Sequence, residues 1–295
     1  MIRSLLVAAG IFGAGLLPSP GCSSAGASVA EPLPWSTGAE GWRTDDAWYD
    51  GKAEKCLYEA TDRIYGLDRS YVARAYTNKQ QMDPRSTTKA SGRAAAPVEC
   101  FKHHWSERVP TENYDYDYST ASFVRTADLA PFKLTAATQE DCGASFKQIW
   151  RVDEELAWLS SVYFPDAGLD RDRVDADVVF QDALSIVLRD LPFAELAPGK
   201  RYDLRLVPSQ RSTRSTAVEP VQAQLTFEGS ETLDVPAGSI PTHRVVVRLE
   251  GRREPLSFWF AADGTAPWLH ALVAYEDGQR SYRLRSLERT AYWER

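Results

Sequence analysis

Histidine and cysteine are scarce in this chain, four of each in 295 residues, and the scarcity limits its chemistry. A structural zinc site needs four ligands. The nearest approach is Cys100-Phe-Lys-His103-His104, and no second C-x-x-C or H-x-x-x-H follows. Adjacent histidines on a strand point to opposite faces, so His103 and His104 cannot both serve one ion. They are expected as surface or half-buried strand residues, and no metal or other cofactor is expected. Enzyme signatures are missing too: there is no G-x-S-x-G elbow, H-E-x-x-H, P-loop or G-x-G-x-x-G. The chain carries 34 basic and 41 acidic residues, without basic blocks, which argues against a nucleic-acid partner. Beyond the N-terminus no apolar run is long enough to span a bilayer as a helix.

The N-terminus is where apolar residues collect. Arg3 precedes the run LLVAAGIFGAGLL, the pattern of a secretory signal over residues 1–21. Gly21 stands directly before Cys22, with Ser23 and Ser24 after it, which resembles the lipobox of bacterial lipoproteins. That resemblance implies an acylated Cys22 at the start of the mature chain. The competing reading is cleavage after Ala27, at the A-x-A site Ala25-Gly26-Ala27. Several acyl chains anchor stably where one is marginal. Residues 22–45, rich in Ser, Ala, Gly and Pro, read as a flexible tether. The expected location is the cell envelope, lipid-anchored at the outer membrane and facing the periplasm.

Residues 46–295 read as one β-rich domain, with a division into two sub-sheets considered near 165–177. Residues 53–77 suggest two strands around YGLDRS, with Cys56, Tyr58 and Ala60 on one face. Residues 83–97 read as a loop. In NYDYDYS, Tyr114, Tyr116 and Tyr118 alternate with acids to make a tyrosine ladder on one strand face. Residues 178–191 carry a helical stripe of Phe180, Ala183, Leu184, Val187, Leu188 and Leu191, with Asp177 as cap and Pro192 as stop. In THRVVVRLE, His243, Val245, Val247 and Leu249 share a face; His243 and His270 are expected as core histidines. Asp277-Gly278 signals a hairpin. Glu140 and Asp141 beside Cys142 would raise a thiol pKa, which disfavours a nucleophile there. The fold class that follows is mainly β or α+β: a large curved antiparallel sheet or open barrel with one covering helix.

Two segments resemble known families. Leu191-Pro192, the Pro198-Gly199-Lys200 turn, Val235-Pro236-Ala237-Gly238 and Trp259-Phe260 are similar to the DUF3108 family of bacterial envelope proteins, over about residues 178–285. Upstream, WYDGKAEKCLYEATDRIYG and ATQEDCGASFKQ resemble uncharacterised bacterial lipoproteins with a "QEWCG" core, where Asp141 replaces the Trp. Neither resemblance brings catalytic residues. Since Cys142 is the cysteine that matches that core, the resemblance implies Cys56–Cys100 as this chain's own disulfide. One short helix cannot cover a large sheet, so a groove or cavity is expected on the concave face, bordered by aromatics and free of convergent charge. Its expected lining is Leu256, Phe258, Phe260, Leu269, Val273 and Tyr275, with Ala271. The expected function is non-enzymatic: an envelope lipoprotein binding an apolar ligand or a partner protein. The alternative is a structural or assembly factor without a ligand, and a more distant one is an enzyme with an unfamiliar site.

Overall fold

The computed structural model describes residues 42–92, 94–211, 214–264 and 270–293; Cys22 and Leu269 lie outside them. The described chain forms one 16-stranded sheet. Its strands are β1 (Ala53–Ile64), β2 (Leu67–Asp83), β3 (Thr88–Lys89), β4 (Val98–Val109), β5 (Tyr116–Arg125), β6 (Pro131–Glu140), β7 (Gly143–Val152) and β8 (Glu155–Val162). They continue as β9 (Gly168–Asp175), β10 (Val179–Phe180), β11 (Arg201–Val207), β12 (Val221–Val235), β13 (Gly238–Leu249), β14 (Leu256–Ala261), β15 (Leu272–Glu276) and β16 (Arg280–Thr290). The spatial order runs from β10 through β11–β16 to β1, β2, β4–β9, with β3 appended to β2. Every pairing is antiparallel except the short β10–β11 contact.

Turn chemistry sets the hairpins. Tyr65 and Gly66 both have positive φ, 53° and 77°, as a two-residue type I′ turn requires between β1 and β2. Asp141 and Cys142 alone join β6 to β7, since Glu140 pairs with Gly143. Asp277 pairs with Arg280 across the last hairpin, where Gly278 takes φ 83°.

The sheet curls until one face becomes an interior. A single apolar cluster contains Tyr58 of β1, Leu134 of β6, Trp158 of β8, Leu225 of β12 and Phe258 of β14. A flat sheet could not bring strands so far apart in the ladder into one core. The two edges approach each other at a seam, where Arg205 of β11 reaches Asp175 of β9 at 3.3 Å. This is the expected open barrel. The ladder runs unbroken through 15 strands, with β3 a side branch on β2, and the stretch near 165–177 carries β9, one edge of that ladder.

Three stretches of chain occupy the interior. Residues 178–191 are buried on nearly every side, and only Asp182 keeps partial exposure. They do not form the continuous helix that the stripe predicts. A four-residue α-helix, α1 (Leu184–Val187), sits between 3-10 turns at Gln181–Ala183 and Leu188–Asp190. A helical stripe presumes a solvent side, whereas this segment is walled in by strands on several sides. It bends to satisfy them, with Ser185 on β4 and Arg189 on β1. The first folded residues also enter the core. Trp42 and Trp48, in 3-10 turns Trp42–Thr44 and Asp46–Tyr49, pack on Phe101 at ring distances of 5.0 and 5.1 Å. Residues 42–45, expected in the tether, belong to the folded body. The third stretch, residues 208–211 and 214–218, lies at the opposite end as a strap, with Gln210, Arg211 and Val218 buried and Arg214 and Ser215 exposed. Thr138 and Ser160 donate to its Arg211 and Thr216 carbonyls at 3.0 and 2.7 Å.

The barrel thus has two ends. At the tether end lie residues 42–52, the β2–β4 and β5–β6 connections and residues 291–293. At the strap end lie the 65–66, 141–142 and 277–280 turns and the strap.

The register overturns the Cys56–Cys100 disulfide. Cys56 stands opposite Ala75 of β2, while Cys100 stands opposite Gln80. Those two β2 positions are five residues apart, so the cysteines project to opposite faces. They are also separated by an intervening strand, about 10 Å, beyond the roughly 7 Å that a disulfide tolerates. Cys56 belongs to the interior and Cys100 to a separate cluster with Met82, Phe123 and Phe132; Cys56, Cys100 and Cys142 are all free thiols.

Candidate functional site

A cavity of about 60 Å³ lies inside the barrel toward the strap end, walled by Trp105, Phe258, Leu272, Tyr275 and Tyr282. Alternation along β4 sends His103, Trp105 and Glu107 inward, and β14 contributes Phe258. The plug adds Asp182 and Ser185, and the strap adds Arg211. The expected aromatic border is therefore present, but the expected lack of charge is not.

Glu107 organises the charged side. The hydroxyls of Tyr71 and Tyr282 each donate to its Oε1 at 2.7 Å, and Arg211 Nε donates to Oε2. Arg211 Nη1 donates to Asp62 at 3.0 Å, and the guanidinium lies 3.9 Å from the Tyr118 ring centre. Arg211 Nη2 is buried and meets no protein acceptor. Burial works against the Glu107 charge, but Arg211 and the Tyr71 hydroxyl prevail and hold its pKa below the ordinary value. The same contest favours the charge on Asp277, where Arg280 and the backbone N–H groups of Arg280 and Gln279 overcome burial. Asp182 goes the other way: burial raises it although Ser209 and the Gln210 N–H donate to it. Lys147, buried under the strap and donating to Gln210 Oε1 at 3.2 Å, is pushed down to about 8 by burial.

Next to the cavity is a Ser–His contact, Ser185 Oγ to His103 Nε2 at 2.8 Å. It resembles part of a hydrolytic dyad, yet the chemistry is blocked. The Trp105 indole N–H, a donor only, points at the same Nε2 at 2.6 Å. Nε2 must therefore accept, the proton sits on Nδ1, and Nδ1 donates to Thr77 Oγ1 at 2.7 Å. Burial, with Arg189 and His104 nearby, depresses His103 to about 3. Its lone pair is taken by the indole, so it is a poor base for Ser185. His103 is a buried packing residue rather than the surface or half-buried one expected.

The predicted lining divides. Leu256, Phe258, Phe260 and Tyr275 face the interior. Val273 does not: the β14–β15 register shifts between Trp259 and Phe260, which pairs Phe260 with Leu272. That bulge turns Val273 to the outer face, against Trp259 and Ala261, and gives its place to Leu272. Leu269 is outside the described residues. Among the remaining candidates, His270 is half-buried rather than a core residue, and its Nδ1 donates to the Arg189 carbonyl at 2.8 Å. His243 instead bonds the Ser230 hydroxyl at 2.8 Å and stacks on Phe193. The tyrosine ladder is real, with Tyr116 and Tyr118 stacked at 6.1 Å. Gly143 has no room for a side chain, since a Cβ there would lie 2.4 Å from the Tyr163 ring. Among the described residues no cluster of three or more His, Cys, Asp or Glu is arranged to hold a metal ion.

Sequence reasoning missed Glu107, Arg211 and Asp62. They are separated by up to 149 residues, and nothing local marks them as partners. The available signal was a glutamate in phase with the inward series Phe101, His103, Trp105 and Val109 of β4.

No family model matches this chain, and no curated protein sequence does. Among solved structures, one described as a β-barrel-like protein of domain of unknown function DUF1849 from Brucella abortus is similar. It is 11% identical, with 81% of this chain and 98% of that one covered and a TM-score of 0.49.

Proposed function

We propose that this chain is a non-enzymatic protein of the bacterial cell envelope, exported by the signal at residues 1–21 and anchored through acylated Cys22 at the outer membrane, facing the periplasm. Its barrel is a self-filled scaffold that works through its surface as a structural or assembly factor. The filled interior carries this reading. Plug, strap and N-terminal turns leave about 60 Å³, whereas sites for drug-sized ligands run to roughly 300–1,000 Å³. Other hollows, of about 300–570 Å³, are bordered by charged residues such as Arg108, Asp117, Arg252 and Asp277 rather than by an apolar wall, so the surface role is preferred to an apolar-ligand carrier. The indole-blocked His103 supports the non-enzymatic part. The DUF3108-like turn motifs and the lipobox-like Cys22 support the envelope setting.

An environment-sensitive apolar dye, competed with lipid, tests the scaffold reading. No saturable uptake by the purified protein is expected. One-to-one binding that is weakened by Phe258→Asp would reinstate a ligand carrier. Fractionation tests the anchor: Cys22→Ser is expected to move the protein into the soluble envelope fraction. An N-terminus at Ser28 in an already soluble wild type would remove it.

A further inference from the structure

β9 is an end strand of the ladder and, among the described residues, pairs with β8 alone. Its eight residues, GLDRDRVD, are exposed except for the half-buried Val174. Only its last residue, Asp175, meets the far edge, through Arg205. An uncovered strand edge of about 26 Å is a template on which another chain can add a strand. The other end of the ladder is better covered, since β10 pairs with Leu206 and Val207 of β11 and both β10 residues are buried.

The backbone fixes which groups reach the open edge. Ala176 N–H donates to the carbonyl of Glu154, the residue before β8, at 3.2 Å. Alternation along the strand then turns the N–H groups of Asp170, Asp172 and Val174 toward β8 and those of Arg171 and Arg173 away from it. Neither of these two outward donors is bare. Arg171 N–H donates to Asp170 Oδ1 and Arg173 N–H to Asp172 Oδ1, each at 2.8 Å. Asp170 is itself held by the Thr216 hydroxyl at 3.3 Å. Arg173 is held by Glu155 of β8 at 2.8 Å.

The charge pattern acts against the same event. Directly opposite residues of an antiparallel pair share a face, and a two-fold axis gives both copies the same faces. Two copies joined through β9 can therefore match only even positions with even and odd with odd. In one centred register Asp170 meets Asp172 and Arg171 meets itself; in the next Arg171 meets Arg173 and Asp172 meets itself. Like charges directly opposite destabilise a strand pair. We propose that β9 is a guarded edge, whose aspartate caps and alternating charges stop a second copy of this chain from adding to the sheet and keep the barrel a monomer. The guard works in the same way on a free or an anchored chain.

Sedimentation of the full chain in detergent reads association, and hydrogen exchange at single amides reads where it occurs. The wild type is expected to keep a monomer's mass as it is concentrated, with exchange at Arg171 and Arg173 unchanged. A variant combining Asp170→Val, Arg171→Thr, Asp172→Val and Arg173→Thr removes caps and charges together. Its mass is expected to rise with concentration toward twice the monomer value, with several-fold slower exchange at positions 171 and 173. A variant that keeps the wild-type circular dichroism and stays monomeric overturns the proposal. Association that leaves those two amides unchanged also overturns it, because the contact then lies elsewhere. The wild type supplies a check that needs no variant: exchange at Arg171 and Arg173 that slows as the protein is concentrated means that the edge pairs with a second copy, and the guard fails.

Discussion

Two buried arginines, one toward each end of the barrel, carry out the same task in different surroundings. Arg189 reaches from the plug to Glu54 of β1 through both nitrogens, at 2.8 and 3.2 Å, with its guanidinium 4.8 Å from the Trp42 ring centre. Arg211 reaches from the strap to Glu107 and Asp62 over Tyr118. The Arg189 end is sealed by Trp42, Trp48 and Phe101, whereas the Arg211 end borders the cavity. A buried ion pair adds little net stability by itself, but removal of one partner strands the other in low dielectric. The clamp in the dry end should therefore be the less forgiving.

Arg189→Met tests this first and should have the largest effect, a loss of about 3–5 kcal/mol in urea unfolding from the stranded Glu54 carboxylate. The double variant Arg189→Met with Glu54→Leu should recover most of it. A single variant within 1 kcal/mol of wild type would mean that Glu54 is solvated and that the end is not dry. Arg211→Met should cost less, about 2–3 kcal/mol, because Glu107 keeps the Tyr71 and Tyr282 hydroxyls, Asp62 keeps Gln279 Nε2 at 3.4 Å, and the cavity can admit water to both carboxylates. Equal losses at the two sites would erase the distinction between the ends.

pH sharpens the comparison. Burial pushes the Asp190 carboxyl, 3.2 Å from Arg43 Nε at the sealed end, up to about 7, and Arg43 offsets only part of that. A raised carboxyl pKa means that the native state holds a proton which the unfolded state has lost. This group's contribution to stability therefore declines as pH rises from about 4 to about 7. Asp190→Asn should flatten that decline and stabilise the protein above pH 7. His103 acts in the opposite sense. Its pKa falls in the native state, so the unfolded chain takes up the proton first, and stability is lost as pH drops from 6.5 toward about 3. His103→Gln should shrink that acid loss. Denaturation midpoints measured from pH 4 to 8 for both variants give the two slopes, and a decline unchanged in Asp190→Asn would remove Asp190 as its source.

What the sequence made legible depended on range. The hairpin announced by Asp277-Gly278, inward runs such as Val245, Val247 and Leu249, and the tyrosine ladder are local patterns, whereas the turn read as YGLDRS is narrower, Tyr65-Gly66 alone, with Leu67 to Ser70 already in β2. Three features were not legible. The bulge at Trp259/Phe260 exchanges Val273 for Leu272 without any Gly or Pro to mark it. The plug satisfies a helical stripe but is surrounded by strands, so tertiary contacts override its local periodicity. The Glu107–Arg211–Asp62 group depends on barrel closure, which links β4, the strap and β1 through distances that no window of sequence spans.

The smallest effect concerns the thiols, and it separates the inside of the sealed end from its outside. Cys56 lies in the interior beside Glu54, with Sγ 3.9 Å from Oε1, and burial together with that carboxylate raises its pKa far above the ordinary thiol value. Cys100 sits on the opposite face, where burial pushes it up to about 12. A thiol reacts as its thiolate, so both should be inert while the protein is folded. Cys142, exposed at the β6–β7 turn with the Tyr114 hydroxyl 2.9 Å away, should react freely. Apart from Cys22, an aromatic disulfide reagent should therefore titrate one thiol in the native protein and three after unfolding in urea. Reductant should leave the melting temperature unchanged, because no intrachain crosslink exists to be cut. If Cys56 titrates in the native state, solvent reaches the Arg189 clamp and the contrast between the two ends fails. If Cys100 alone titrates, the sealed interior stands and only the outer cluster around Met82 is open.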